Sequence, residues 1–338
     1  MYFLFVVGVV VIIKCGDWFV DGAVWVAEVT KIPKFIIGAT IISVATTLPE
    51  IIVSTIAAVN GHGILVSSGD LLAAQDKVGM AIGNGIGSVI CNTAMILAIS
   101  MVFLPPVINR KEFAPKAILL VCAVVALFLF SLSGSLGLIG AIVLVLIFAV
   151  YIFENVRSAK RSPLANEEEK PATDKKSIVM NILRVVIGAA GIVIGSKLLE
   201  SNGSSIARSW CVSEAVIGVT IVAIGTSLPE FVTAITSVVK KQASVSVGNV
   251  IGANVIDTTL ILAVCVFVYG GSLPVSAQNL YLDFPVAILV SLIAVVPAII
   301  CKKFQRWQGI LLFVIYAAYL VVSTVGVSWY LGLFGIVA

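Results

Sequence analysis

The sequence predicts an all-α integral membrane protein with ten transmembrane helices in two inverted-topology five-helix repeats. Three observations predict it. Of 338 residues, 60% are hydrophobic and 11% charged, with a mean hydropathy of +1.16; this is too little polar surface for a soluble domain of that length, and apolar runs long enough to cross a bilayer recur throughout. One string, Gly38-Ala-Thr-Ile-Ile-Ser43-Val-Ala-Thr46-Thr47-Leu-Pro49-Glu50, returns as Gly218-Val-Thr-Ile-Val-Ala223-Ile-Gly-Thr226-Ser227-Leu-Pro229-Glu230. Finally, one long polar segment separates five apolar runs from five more. A duplicated unit with an odd number of spans must enter the membrane from opposite sides.

In order, the spans fall at 2–22, 35–59, 79–103, 116–131, 134–154, 178–198, 214–238, 243–269, 283–301 and 308–330. The first run lacks a basic leader and continues past Lys14, so it reads as a retained span rather than a cleaved signal. Glu154–Ser177 is mixed in charge, carries two prolines and reads as a linker, which divides the chain into 1–154, 155–177 and 178–338. Orientation follows the cations. With the N-terminus outside, Lys31, Lys34, Arg110, Lys111, Lys116, the basic residues of 157–176, Lys240, Lys241, Lys302, Lys303 and Arg306 all face the cytoplasm. Only Lys77, Lys197 and Arg208 are then placed outside; the linker is cytoplasmic and the C-terminus, after ten spans, is outside. A net charge of +4 arising from cations at helix ends requires no nucleic-acid partner. Oligomeric state is not legible.

The duplication extends further. Gly83-Asn84-Gly-Ile-Gly87-Ser88-Val-Ile-Cys91-Asn92 matches Gly248-Asn249-Val-Ile-Gly252-Ala253-Asn-Val-Ile-Asp257, and Gly16–Ala27 weakly echoes Ser196–Ala207. The offset is 180 residues from Glu50 to Glu230 but 165 from Asn92 to Asp257, so the first half holds 15 additional residues. They are expected in an outer loop, Asn60–Val78, with His62 solvated and Asp70 and Asp76 beside it. The paired glycines, four apart, read as close helix packing; Asp17, Asp21 and Lys14 read as groups that snorkel or pair; the six scattered cysteines read as small apolar fillers; Trp18, Trp25, Trp307 and Trp329 read as interfacial anchors.

The chemistry is concentrated in the repeated strings. Pro49 and Pro229 lack an N–H and disturb the carbonyls of Ala45 and Gly225, which a membrane tolerates where the freed oxygens line a cavity or meet an ion. Thr47, Thr46 and Ser43 share a helical face with Glu50; Thr226 and Ser227 precede Glu230 likewise. Asn84, Ser88 and Asn92 are spaced by four, as are Asn249, Ala253 and Asp257. Carboxylates, amides, hydroxyls and bare carbonyls make an all-oxygen lining suited to hard cations such as Ca²⁺ and Na⁺. The four motif helices carry no Lys or Arg in their apolar stretches, so the charge opposing Glu50, Glu230 and Asp257 must come from solution as Ca²⁺, Na⁺ or protons. Such competition is the essence of exchange. A cation channel shares the acidic lining; an intramembrane hydrolase lacks a His or Cys–His pair at membrane depth.

At these residues the chain resembles the cation/Ca²⁺ exchanger superfamily, specifically its prokaryotic sodium/calcium exchangers. The resemblance spans nearly the whole length and includes an Arg-Trp-Gln-Gly segment at Arg306–Gly309. It implies a transporter without catalytic activity or prosthetic group, in a prokaryotic plasma membrane. It implies that Glu50, Glu230, Thr46 and Thr226 hold Ca²⁺, while Ser43, Thr47, Ala223, Ser227, Ser88, Asn92 and Asp257 complete surrounding Na⁺ positions, Ser43 and Ala223 through backbone carbonyls. The proton-coupled branch is similar but usually carries glutamate where Gly87 and Gly252 stand, which favours Na⁺ as the driving ion. Ser43, Ala45 and Thr47 depart from the usual Ala, Gly and Ser. Ala253 departs more sharply, because it removes the hydroxyl that would mirror Ser88.

The cation distribution yields a sided test. A cysteine at Ser162 is expected to react only with reagents reaching the cytoplasmic face, and one at Ser68 only from outside; labelling with the reverse sidedness in intact cells would overturn the topology.

Overall fold

A computed structural model describes residues 1–161, 174–210, 223–325, 330 and 332. Most of the expected linker, including Ser162, lies outside the described residues, as do 218–222 of the second motif and Trp329. The described chain is almost entirely helical: α1 (Tyr2–Thr30), α2 (Lys34–Thr46), α3 (Leu48–Ser68), α4 (Leu71–Phe103), α5 (Arg110–Ser131), α6 (Leu138–Arg161), α7 (Lys175–Ser209), α8 (Ala223–Thr226), α9 (Leu228–Val239), α10 (Ala243–Tyr269), α11 (Asn279–Cys301) and α12 (Arg306–Val325). Among the described residues nine helices are long and apolar enough to cross a membrane.

Several helix starts have a local cause. Asp70 caps α4 by accepting the Ala73 N–H at 3.0 Å, and Asn109 caps α5 by accepting that of Lys111 at 3.1 Å. Pro49 and Pro229 occupy the second positions of α3 and α9, where a missing N–H costs nothing. The expected kink is therefore a full break, at Thr47 (φ −82°, ψ 0°) and at Ser227 (φ −86°, ψ 7°).

Two differences from the expected spans stand out. The helix α1 continues to Thr30 rather than ending near residue 22. The stretch 60–78 is not a loop: α3 continues to Ser68, Gly69 turns the chain at φ +68°, and α4 begins at Leu71. The inserted residues thus lengthen a helical hairpin, whereas in the second half only the short turn after Val239 precedes Ala243. Its close packing is visible at Gly61, where a Cβ would lie 2.3 Å from the Val78 side chain. His62 is exposed, as expected, and its Nδ1 also lies 2.8 Å from the Tyr269 carbonyl oxygen.

Short links between connections sort the turns into two ends. At one end β1 (Ser135–Leu136) pairs antiparallel with β2 (Leu273–Pro274), and His62 meets Tyr269. At the other, Val107 bridges Lys303, and Lys240 pairs with Asp21 at 2.5 Å and Asp17 at 3.6 Å across α1. That second end carries Lys34, Arg110, Lys111, Lys302 and Lys303.

Between the ends, α10 and α4 form the centre: 83% and 72% of their apolar windows are buried. Both widen to a π-helical turn at repeat-related positions, Asp257–Ile261 and Asn92–Leu97. The long helices α1 and α7 run side by side on glycine contacts; a Cβ on Gly188 would sit 2.8 Å from the Phe19 backbone N, and one on Gly195 3.1 Å from the Gly8 carbonyl. The glycine reading also holds on α10, where a Cβ on Gly248 would lie 2.1 Å from the Phe35 carbonyl. At Gly83 and Gly87 no such contact occurs among the described residues.

Because the Phe35 carbonyl is backbone and cannot swing away, Gly248→Ala is expected to destabilise the protein by about 1–3 kcal/mol, the scale of core overpacking. Gly63→Ala, which meets nothing within 4 Å, is the control. Thermal unfolding of the detergent-solubilised variants checks the contrast; equal midpoints would contradict this packing.

Candidate cation site

The helix breaks at Thr47 and Ser227 place Glu50 and Glu230 in the first turns of α3 and α9. There the unpaired backbone N–H groups of a helix start present roughly half a positive charge. Asp257 opens the π-helical turn of α10, and Asn92 opens that of α4. All four are essentially fully buried, Glu50 and Glu230 at 1% exposure and Asp257 at 0%.

What these groups touch is as informative as their burial. Both carboxylate oxygens of Glu50, both of Asp257, Oε2 of Glu230 and the Asn92 amide oxygen have no hydrogen-bond partner. None of the three acids forms an ion pair among the described residues. A buried, unpaired carboxylate costs several kcal/mol. Helix dipoles offset part of that; a bound cation would remove it.

Neutral oxygens surround the acids. Thr47 Oγ1 has two acceptors within reach, the Ser43 carbonyl at 2.6 Å and Glu230 Oε1 at 3.2 Å. Thr46 Oγ1 donates to Asn249 Oδ1 at 3.1 Å, and the Ser43 carbonyl is 3.4 Å away. Two hydrogen bonds thus join the first motif to the second. Ser43, Ser88 and Ser227 are buried, Thr226 is half-buried, and Ala223 opens the short helix α8. Hydrogen bonds join Ser43, Thr46, Thr47, Asn249 and Glu230, Glu50 is buried without such a partner, and Asn92 and Asp257 stand at matching turns of α4 and α10. Ala253 is wholly buried and offers no side-chain oxygen.

Among the described residues no three His, Cys, Asp or Glu side chains are grouped to hold one metal ion. A divalent cation here would need hydroxyls, amides and carbonyls besides carboxylates to reach the 6–8 oxygens that Ca²⁺ prefers.

Further polar links flank the site without any sequence signal beyond an Asn or Ser in an apolar run. Asn254 donates to Thr93 Oγ1 at 2.7 Å, and Ser100 and Ser246 hydroxyls meet at 2.8 Å, each linking α4 to α10. The related asparagines differ. Asn84 donates to Ser54 Oγ at 2.9 Å, but Ala234 stands in the place related to Ser54, and the Asn249 Nδ2 is buried without a partner.

Comparison with known proteins agrees with this construction. A family model described as sodium/calcium exchanger protein matches residues 1–156 and 180–325. An uncharacterised membrane protein of Methanocaldococcus jannaschii is 30% identical over 92% of this chain and 94% of its own, and the sodium/calcium exchanger MaX1 of Methanosarcina acetivorans is 26% identical over 95% and 97%. Among solved structures, the sodium-calcium exchanger NCX_Mj soaked with 2.5 mM Na⁺ and 10 mM Sr²⁺ superposes with a TM-score of 0.78 at 28% identity, covering 95% of this chain and 97% of that one. Na⁺ and Ca²⁺ are cargo for such transporters, and no enzyme activity or prosthetic group is involved. A duplicated acid motif at two helix breaks, matched along almost its full length, places this membrane-embedded chain in the sodium/calcium exchanger family.

Proposed function

We propose that the chain is a secondary antiporter that exchanges Ca²⁺ for Na⁺ by alternating access at the buried carboxylate site. The observation that carries the reading is the set of carboxylate oxygens on Glu50, Glu230 and Asp257 that are buried and lack any protein partner. Such a cavity stays costly until cations enter, and a carrier that changes orientation only when neutralised is coupled by that cost. In this reading Glu50, Glu230, Thr46 and Thr226 hold Ca²⁺. The two glutamates balance its charge, and Asp257, with Asn92, Ser88, Thr47, Ser227 and the carbonyls of Ser43 and Ala223, serves Na⁺.

The hydrogen bonds describe how ligands could exchange. The single Thr47 hydroxyl proton is shared between the Ser43 carbonyl and Glu230 Oε1; a cation that takes one of these oxygens leaves the proton to the other and the hydroxyl lone pairs to the ion.

The architecture proposed is ten helices in two inverted repeats, 1–154 and 178–338, joined by a cytoplasmic linker, with both termini outside. Support comes from the two-end arrangement of the turns, since the basic end is the one that the positive-inside rule assigns to the cytoplasm. A second reading has protons as the driving ion, favoured specifically by Ala253: without its hydroxyl a Na⁺ position is short of one ligand.

Glu50→Gln and Glu230→Gln are each expected to abolish Ca²⁺ uptake in sealed vesicles while leaving the protein monodisperse, because each removes a full charge from a site that selects by charge. Near-normal uptake in either would sink the site. For the coupling ion, Ca²⁺ flux measured against Na⁺ at two pH values is the test. Ala253→Ser is expected to raise apparent Na⁺ affinity or steepen its dependence, with little change in Ca²⁺ affinity; an unchanged Na⁺ curve together with strong driving by a pH gradient would establish the proton reading instead.

A further inference from the structure

At the basic end, a cleft of about 510 Å³ opens between α1, α7 and the turn joining α9 to α10, lined by Asp21, Trp25, Glu28, Asn181, Arg184 and Lys240 among others. We propose that this cleft binds the headgroup of an ethanolamine-type phospholipid from the adjoining leaflet.

Arg184 is the starting point. It lies on α7 within an outward apolar surface made by Ile182, Leu183, Val186 and Ile187, each 45–59% exposed. Its guanidinium donates to Asn181 Oδ1 at 3.1 Å and forms no ion pair among the described residues. A guanidinium has five N–H donors, and one that borders hydrocarbon needs an anion. The acids of the cleft are committed elsewhere: Asp21 to Lys240 at 2.5 Å, Glu28 to Lys34 at 3.2 Å. A lipid phosphate is the anion that the membrane itself supplies, and its oxygens match the guanidinium fork.

The rest of the wall decides which phospholipid. Asp21 and Glu28 are 48% and 38% exposed and face the same space, and their lysine partners leave carboxylate lone pairs open, so a headgroup that brings N–H donors gains contacts that a purely anionic one lacks. A primary ammonium beside the phosphate satisfies both walls, because it donates hydrogen bonds to those carboxylates. A glycerol headgroup brings no cation, and a choline headgroup brings no N–H. The depth agrees, since the turn Lys240–Gln242 joins two membrane helices and Trp25 is a residue type that settles at the interface. The occupant would bridge α1, α7 and the α9–α10 turn, adding a contact where Lys240 already ties that turn to Asp17 and Asp21.

Native mass spectrometry of the full-length protein in an equimolar mixture of phosphatidylethanolamine, phosphatidylglycerol and phosphatidylcholine tests this. Wild type is expected to retain phosphatidylethanolamine roughly five- to tenfold over the other two, the scale of one charge-assisted hydrogen bond. Arg184→Gln and Glu28→Gln are each expected to erase the preference, and Arg184→Lys to keep part of it. Preferential retention of phosphatidylglycerol or phosphatidylcholine by wild type overturns the assignment, as does an undiminished preference in Arg184→Gln. Displacement of the lipid by equimolar soluble phosphoethanolamine would show a free zwitterion to be the occupant and also overturns it. Should Arg184→Gln lower the thermal midpoint in lipid-free detergent, the ratio in Glu28→Gln decides.

Discussion

Three acids without a counter-charge among the described residues set the terms for everything else in this chain. Glu50, Glu230 and Asp257 are buried with unsatisfied oxygens, and in a low-dielectric interior such groups disfavour the folded state unless the surroundings are arranged for them. The arrangement is visible at each level. Proline at the second helical position starts α3 and α9 where their first turns can face the carboxylates. The breaks at Thr47 and Ser227 end the preceding helices one residue away, and glycines at α2–α10 contacts bring backbone close enough for Thr46 and Thr47 to reach across to Asn249 and Glu230.

Duplication supplies most of that arrangement twice. The matching π-helical turns at Asn92 and Asp257 show how far the correspondence goes: each puts a polar ligand type where the helix is locally widened, a feature common at functional sites. The halves are nonetheless not interchangeable. Ser88 opposes Ala253, Ser54 opposes Ala234, and Asn84 finds a partner that Asn249 lacks. The two Ser-to-Ala differences each remove a hydroxyl oxygen, and the loss at Ala234 leaves Asn249 Nδ2 without the partner that Asn84 has.

The acids, the prolines and the hydroxyls beside them were legible in the sequence because polar residues in a bilayer-length apolar run are rare enough to stand out. The spans were legible for the same reason, although their ends were not. Hydropathy ends where charge begins, whereas a helix ends where its hydrogen bonding fails; hence α1 runs on past Asp17 and Asp21, which share the ammonium of Lys240. The stretch 60–78 was misread because its Gly, Ser and Asp residues look like a loop when counted. Only Gly69 and Asp70 act as turn residues there, one by left-handed backbone and one as a cap. The π-helical turns and the Asn254–Thr93 bond have no local sequence mark at all, since both depend on which helices become neighbours.

The lengthened hairpin has a consequence for energetics across the membrane. Two halves related by inverted symmetry would, if identical, make the orientation open to one side the mirror of the orientation open to the other, equal in free energy. The residues inserted between α3 and α4, with His62 fastened to the Tyr269 carbonyl, exist on one face only. They lift that degeneracy. If the chain alternates access as proposed, its two empty orientations differ in free energy, and the hairpin rather than the ion site sets that difference.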